Sequence, residues 1–161
     1  MVCHHRPVTT AQTIEKTRYL VTAVREIDAS APRLFDIVAD PARHPDLDGG
    51  RSVKATRGDV PQRLSQGATF SMDMEIKAKY KITNTVVEFE EGRVIGWRHF
   101  NGHVWRWRFE PLDAGRTRVT EQWDARPAKT RFFLGFLGFA DSAAKGMPRS
   151  LDNLAALVAA D

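Results

Sequence analysis

The sequence is poor in the features that mark disulfide-bonded, secreted and membrane-spanning proteins. It has one cysteine among 161 residues, Cys3, so no disulfide can form within the chain, and this usage is typical of a reducing compartment. No run reaches about 18 apolar residues, the length that a membrane-spanning helix requires. Residues 1–16 contain no apolar segment of the kind found in secretory signals. We therefore expect a cytoplasmic protein without stable membrane insertion.

The chain also lacks a large excess of charge of one sign. The chain has 24 Lys and Arg against 20 Asp and Glu, a net charge of +4, and the basic residues are dispersed. Arg106 and Arg108 alternate with Trp105 and Trp107, so we expect the two pairs on opposite faces of one strand. No dense basic block of the kind that binds nucleic acid is present. Nucleic acid is therefore not an expected partner.

Motifs for metal, cofactor and nucleophilic chemistry are missing as well. His99 and His103 are four residues apart, but Asn101-Gly102 between them predicts a hairpin rather than a helix. The sequence has no cysteine cluster, no nucleophile elbow, no phosphate loop and no dinucleotide fingerprint. We expect no metal and no cofactor.

The sequence does contain several segments in which apolar and polar residues alternate, a pattern that predicts the strands of an antiparallel sheet. Residues 1–16 show no periodicity and are predicted to be a flexible tail before a single domain at 17–161. A strand is expected to end at Ile27, and two short helices should begin at Ser30 and Asp40, since a proline follows each in the first turn. Further strands are predicted at 52–56, 68–76, 79–90, 93–100, 104–112 and 117–126.

The C-terminal region is predicted to form one long helix over residues 130–160. Apolar residues recur there at spacings of three and four, which predicts one stripe facing the sheet. The stripe comprises Phe136, Ala140, Ala143, Met147, Leu151, Leu154 and Val158. Gly135 and Gly138 should weaken the first half of this helix, and Pro148 should release a carbonyl near residue 144.

This order of elements and several short motifs resemble the START-like helix-grip superfamily, also called SRPBCC, especially its bacterial polyketide cyclase/dehydrase-like branch. The motifs are residues 27–36 (IDASAPRLFD), 38–45 (VADPARHP), 96–98 (GWR), 105–111 (WRWRFEP) and 115–121 (GRTRVTE). Leu47 departs from the pattern, because many relatives carry Trp there. The resemblance implies an α+β helix-grip fold, in which a curved antiparallel sheet of about six to seven strands wraps around a long C-terminal helix. Two short helices follow the first strand.

The resemblance also implies a pocket between the sheet and the C-terminal helix. Alternation assigns the residues that should face it, and aromatic and methionine side chains offer a large contact area to an apolar guest. The predicted ligand-binding residues are Phe70, Met72, Met74, Tyr80, Ile82, Asn84, Trp97, His99, Trp105, Trp107, Glu121, Trp123, Phe136 and Met147.

Three of these residues, Asn84, His99 and Glu121, are polar. Glu121 and His99 are the catalytic candidates, because a desolvated glutamate with a raised pKa could exchange protons with a ligand. Alternatively, Glu121 pairs with a nearby arginine and His99 bonds a backbone carbonyl. Tyr80 either orients a ligand or points its hydroxyl into solvent. The aromatic cluster at 132–139 either gates the pocket or is buried, against the sheet or in a dimer contact.

The sequence favours binding of a small hydrophobic molecule, such as a lipid, a fatty acid or an aromatic polyketide-like compound, by a monomer or homodimer. One alternative is a cyclase/aromatase-type enzyme that uses Glu121 or His99 as its acid or base. Another is a stress- or regulator-associated interaction protein whose cavity is vestigial. A fold alone does not decide among these functions.

Overall fold

The computed structural model describes residues 8–161. One curved, fully antiparallel sheet has the strand order β1-β2-β8-β7-β6-β5-β4-β3. Its strands are β1 Gln12–Lys16, β2 Leu20–Ile27, β3 Val53–Arg57, β4 Thr69–Glu75, β5 Lys79–Glu90, β6 Val94–Arg98, β7 Val104–Pro111 and β8 Thr117–Asp124. The helices are α1 Ala31–Ala39, α2 His44–Leu47, α3 Arg131–Phe136 and α4 Phe139–Ala160. Short 3-10 segments lie at Pro41–Arg43, before α2, and at Asp113–Gly115, between β7 and β8.

The prediction of a flexible tail up to residue 16 is wrong for Gln12–Lys16. These residues form β1, which pairs with β2 through partners such as Thr13 and Ala23. This edge strand has no apolar periodicity because most of its side chains are exposed, so its pairing is made by the backbone. It explains why the sheet has eight strands instead of six to seven. The first seven residues of the predicted tail lie outside the described part of the chain.

The prediction of one helix over residues 130–160 is also wrong, because the helix breaks near Gly138. This residue has φ of 74°, a left-handed conformation that favours glycine, and it separates α3 from α4. Helix α4 runs on through Pro148. The carbonyl of Ala144, which an amide at position 148 would have bonded, accepts a hydrogen bond of 3.3 Å from the Thr13 hydroxyl of β1.

The concave face of the sheet forms the core together with α1 and α4. Met147, Leu151 and Leu154 on α4 are fully buried, as the predicted stripe requires. Phe35 on α1 packs edge-on against Phe89 and Phe109 of the sheet, with ring centroids 5.5 and 5.6 Å apart. Such aromatic pairs add to the free energy gained by apolar burial. The helices thus cover one face of the sheet and leave space near its centre.

The opposite face of the sheet carries a network of charged side chains. Arg106 on β7 donates to both carboxylate oxygens of Glu88 at 2.5 Å and also bonds Gln122. Its guanidinium lies 3.7 Å from Asp124. Hydrogen bonding from Arg106 lowers the pKa of Glu88. Each buried charge on this face therefore has a partner, as burial of charge requires.

Candidate functional site

A cavity of about 100 Å³ lies between the concave face of the sheet, α2 and the turn that follows α2. Its walls come from six strands, α2 and a single residue of α4. The lining residues are His44, Leu47, Asp48, Ser52, Val53, Met72, Met74, Ile82, Asn84, Trp97, His99, Trp105, Trp107, Glu121 and Ser150. Helix α2 and its turn therefore contribute more of the wall than the long C-terminal helix does.

Nine of the fourteen residues predicted to face a ligand line this cavity. They are Met72, Met74, Ile82, Asn84, Trp97, His99, Trp105, Trp107 and Glu121. Phe70, Trp123 and Met147 are buried in the surrounding core but are not part of the wall. Phe70 supports the wall from behind, since its ring packs edge-on against Trp97 at 5.7 Å. The inward faces of β4 to β8 are thus those that alternation predicted.

The placement of Phe136 and Tyr80 in the pocket is wrong. Phe136 is 79% exposed, because the break at Gly138 turns α3 away from the line of α4 and Leu134 becomes the buried residue of α3. Tyr80 is 41% exposed and lies beside Met74 in a separate groove near the edge of the sheet. No residue of the 132–139 cluster lines this cavity, and a gating role for the cluster stays a prediction.

Glu121 is the most unusual group of the cavity wall. Its side chain is 1% exposed, and the indole Nε1 of Trp105 donates to Oε1 at 2.6 Å. The other oxygen, Oε2, has no hydrogen-bond partner within residues 8–161. Burial raises the pKa of Glu121 well above its usual value, the bond from Trp105 opposes this, and Asp48 adds to it. Among residues 8–161, Glu121 makes no pairing with an arginine, the alternative that the sequence left open.

Two further polar atoms of the wall are buried without a partner in the described structure. They are the indole Nε1 of Trp107 and the amide Oδ1 of Asn84, and both residues are 2% exposed. Trp107 lies directly opposite Glu121 in the β7–β8 register, so the two side chains are neighbours on the concave face. The cavity therefore combines an apolar wall with three unsatisfied polar atoms.

His99 reaches the cavity from the end of β6 and stacks on His103. The ring centroids are 4.3 Å apart, with 20° between the planes. Burial and the neighbouring His103 hold the pKa of His99 well below its usual value, and burial lowers the pKa of His103 to about 4. Both rings are thus neutral at neutral pH, which suits hydrogen bonding better than charge pairing.

His44 on α2 is a wall residue that sequence reasoning missed. Its ring stacks on Trp97 at 5.0 Å, and its Nε2 donates to the Val38 carbonyl at 2.8 Å. Burial lowers the pKa of His44, so the ring is neutral and its Nδ1 remains an acceptor. The signal was present in the sequence, because His44-Pro45 belongs to a motif that carried the family resemblance.

The turn after α2, also missed, closes one end of the cavity. Asp48 accepts from the backbone amides of Ser52 and Val53 at 2.6 and 2.8 Å, which shapes the turn. The Gly49 amide donates to the Ser150 hydroxyl of α4 at 2.9 Å. A Cβ on Gly49 would lie 2.3 Å from the Gly146 carbonyl oxygen, so only glycine permits this approach. An Asp-Gly-Gly turn gives no sequence signal for its tertiary contact.

The described residues contain no group of three or more His, Cys, Asp or Glu side chains able to hold a metal ion. Across the same part of the chain, no helix is both long and apolar enough to cross a membrane. The arrangement can enclose a small, mainly apolar molecule, donate a hydrogen bond to it from Trp107 Nε1 and accept one at Asn84 Oδ1, while Glu121 Oε2 donates when protonated and accepts when ionised. It can also place a carboxyl group with a raised pKa against that molecule.

Comparison with known proteins finds one family and two curated relatives. The family described as "Polyketide cyclase / dehydrase and lipid transport" matches residues 18–159. The uncharacterised protein Rv0088 of Mycobacterium tuberculosis is 40% identical over 134 residues, which are 80% of this chain and 59% of that protein. The chain therefore spans 59% of the length of this relative, and the same share of a second M. tuberculosis protein, MT0096.

Solved structures confirm the helix-grip fold. A protein of Rhodobacter sphaeroides superposes with a TM-score of 0.70 at 16% identity, covering 93% of this chain and 98% of that one. The polyketide cyclase-like protein Cgl2372 of Corynebacterium glutamicum gives 0.59 at 22% identity, covering 87% and 91%. At these identities the likeness shows the fold and not the ligand.

Proposed function

The chain belongs to the polyketide cyclase/dehydrase and lipid transport family, and from that premise we propose that it binds a small, mainly apolar molecule carrying one polar group. The ligand occupies the cavity between the sheet and α2. Apolar burial supplies most of the affinity, at roughly 25 cal/mol per Å² before the entropic costs of binding. The cytoplasmic location and the monomeric or homodimeric state expected from the sequence stay predictions.

The observation that carries this proposal is the set of unpartnered polar atoms in the wall. Trp107 Nε1, Asn84 Oδ1 and Glu121 Oε2 are all buried without a partner in the described residues. An unpaired buried polar group costs about 1–3 kcal/mol. Three in one cavity are a large cost for a single domain, and a ligand that bonds them recovers it.

The chemistry of these atoms indicates what the polar group of the ligand is. Glu121 Oε1 accepts from Trp105, so a protonated carboxyl carries its hydrogen on Oε2 and donates into the cavity. Trp107 Nε1 is also a donor, and it neighbours Glu121 across the strands. Two adjacent donors suit a carbonyl or hydroxyl oxygen, and a hydroxyl could in turn donate to Asn84.

The size of the cavity limits the apolar part of the ligand. An engineered apolar cavity of about 150 Å³ in another protein holds one benzene molecule, and the cavity here measures about 100 Å³. A single ring or a short alkyl chain is therefore the best match to the walls as they stand. A long-chain lipid would need the turn after α2 to move.

The test combines native mass spectrometry of the purified protein with two probes, ethylbenzene and 4-ethylphenol, which differ by one hydroxyl. We expect 4-ethylphenol to bind at least about tenfold more tightly, because a site built for a hydrogen bond rejects the analogue that lacks it. The Trp107→Phe variant should lose most of this preference. Tyr80→Phe, which removes a polar group outside the cavity, is the matched control and should keep it.

Equal binding of the two probes, or loss of the preference in the control but not in Trp107→Phe, would contradict the proposal. A molecule that co-purifies and is recovered by organic extraction should be small and carry a carbonyl or hydroxyl. A co-purifying hydrocarbon without a polar group would also count against it, since the three wall atoms would stay unpaired.

A second candidate function is favoured by the raised pKa of Glu121. A carboxyl with a raised pKa that lines an apolar cavity and leaves one oxygen unpaired is suited to donate a proton to a bound substrate, as a cyclase or dehydratase requires. Glu121→Gln separates the two functions. An enzyme should lose turnover and keep its affinity for substrate, whereas a binding protein should change only in affinity.

A further inference from the structure

Exposed apolar side chains are concentrated at one end of the molecule. Five of the eight large apolar side chains exposed among the described residues belong to α3, to the residue after it and to the β6–β7 hairpin. We call this group the phenylalanine patch; it comprises Phe100, Phe132, Phe133, Phe136 and Leu137. The four patch residues around α3 have spacings of one, three and four, so they share one helix face. A contiguous exposed apolar patch of this kind marks an interaction site.

Buried residues attach the patch to the core, so the fold itself keeps the patch side chains exposed. Leu134 and Ala128 are each 1% exposed and attach α3 and the residues before it to the core. The Thr130 hydroxyl donates to the carbonyl of Asn101 at 2.9 Å, which ties the hairpin carrying Phe100 to the start of α3. The phenylalanines cannot turn inward without breaking these contacts.

The unpaired charges near the patch are positive, because the flanking Asp124 and Asp141 pair with Arg126 and Lys16. Residues 125–140 contain three basic residues and no acidic one. Arg131 lies over the ring of Phe132 at 5.2 Å, and Arg18 lies over Tyr19, which in turn packs edge-on against Phe132. Within the described chain, no carboxylate lies within salt-bridge distance of Arg18, Lys129 or Arg131.

We propose that the phenylalanine patch docks the protein reversibly on an anionic membrane surface. Phenylalanine and leucine side chains enter the boundary between headgroups and acyl chains to a depth of about 5–10 Å, while flanking cations face the anionic headgroups. Arg131 and Lys129 are placed for this second role. The inference is independent of what the cavity binds.

The unpaired cations beside the phenylalanine patch favour a membrane over a second copy of this chain as its binding partner. A twofold symmetric contact would set the same surface against itself and bring Arg18, Lys129 and Arg131 of the two copies together. These unpaired cations would repel each other at close range. An anionic bilayer satisfies the apolar and the basic part of the surface together.

The experiment is flotation of the purified protein with vesicles of phosphatidylcholine containing about one third phosphatidylglycerol, compared with vesicles of phosphatidylcholine alone. We expect binding to the anionic vesicles, weakened by salt because the headgroup attraction is screened. The double variant Phe133→Ser/Phe136→Ser should lose at least about tenfold in binding. Lys129→Gln and Arg131→Gln should each lose about fivefold.

The matched control is Ile76→Ser/Lys77→Gln, which removes one exposed apolar residue and one exposed cation from the β4–β5 turn. It should bind the anionic vesicles as the unchanged protein does. Absence of binding by the unchanged protein, equal binding to neutral vesicles, or full binding by the double variant overturns the proposal. A dimer that the double variant abolishes, without vesicle binding, overturns it too and assigns the patch to a second copy.

Discussion

The buried polar groups on the two faces of β7 differ in whether they have hydrogen-bond partners in the described structure. On the outer face, Arg106 is bonded to Glu88 and Gln122, and nearby Glu26 pairs with Arg116 and Arg118. On the inner face, Trp107 has no partner in the described structure, and its cross-strand neighbour Glu121 leaves one oxygen unpaired. One strand thus carries a satisfied network and an unsatisfied one, separated by the thickness of its backbone.

The difference separates groups that stabilise the fold from groups that, in the function proposed above, form hydrogen bonds with a ligand. A satisfied buried network loses free energy when any member is removed, because the remaining members lose their partners. An unsatisfied group costs free energy in the empty protein, so its removal should be neutral or stabilising. Variants on the two faces should therefore shift the free energy of unfolding in opposite directions.

The largest effect is expected for Arg106→Leu on the outer face. This change removes the arginine partner of Glu88 and one of the two arginines near the largely buried Asp124, which keeps its ion pair with Arg126. Breaking such a pair should lower the free energy of unfolding by about 3 kcal/mol, as measured by urea denaturation. Arg108→Leu, an exposed arginine on the same face of the same strand, is the control and should change it by less than about 0.5 kcal/mol. Similar values for both variants would mean that the outer network is not structural.

A pH-dependent effect is expected for Glu121→Gln on the inner face. The folded state holds the pKa of Glu121 above its unfolded value, so above that unfolded value the folded state retains a proton that the unfolded state has released. This side chain therefore lowers stability as pH rises from about 4.5 to its folded pKa, by up to about 1.4 kcal/mol per pH unit. The variant keeps an acceptor for Trp105 and does not titrate.

The measurement is the free energy of unfolding of both proteins between pH 4 and pH 8. The gain of Glu121→Gln over the unchanged protein should be smallest at the acid end and should grow with pH. Taking the difference at each pH removes the opposite contribution of His44, His99 and His103, whose lowered pKa values destabilise the fold as pH falls below about 6.5. A difference that does not vary with pH would show that Glu121 ionises normally.

The smallest effects are expected for a pair of amide variants that compare the faces directly. Asn84→Leu removes an inner amide whose Oδ1 is unpartnered in the described structure and should leave stability unchanged or raise it by up to about 1 kcal/mol. Gln122→Leu removes an outer amide that bonds Arg106 and Thr22, and should lower stability by about 1 kcal/mol. Thermal unfolding of both variants measures the signs. Loss of stability in both would remove the distinction between the faces.

Much of the fold could be predicted because alternation along a strand is a local property. The predicted strand at 79–90 coincides with β5, and the inward positions of β4 to β8 follow the apolar pattern. The family resemblance, which rested on short motifs, is confirmed over residues 18–159. The glycine turns fixed the hairpins, since Asn101-Gly102 and Glu91-Gly92 join consecutive paired strands.

The errors fall where distant contacts override local pattern. Gln12–Lys16 forms a strand because β2 offers it an unpaired edge, although its own side chains are mostly exposed. Phe136 follows the helical stripe in the sequence, yet the left-handed Gly138 redirects α3 and exposes it. His44 and Asp48 entered the cavity wall through the packing of α2, which no periodicity encodes.

The sequence by itself determined which residues face the interior, because the two-residue period of a strand assigns each side chain to a face before any folding partner is known. Only the tertiary structure decided which of the inward polar groups find partners. Within the described chain, Glu121 accepts from Trp105 and pairs with no arginine, while Trp107 Nε1 and Asn84 Oδ1 have no hydrogen-bond partner. A hydrogen bond between side chains on different strands depends on the strand register and on the curvature of the sheet. Both exist only when the whole sheet has formed.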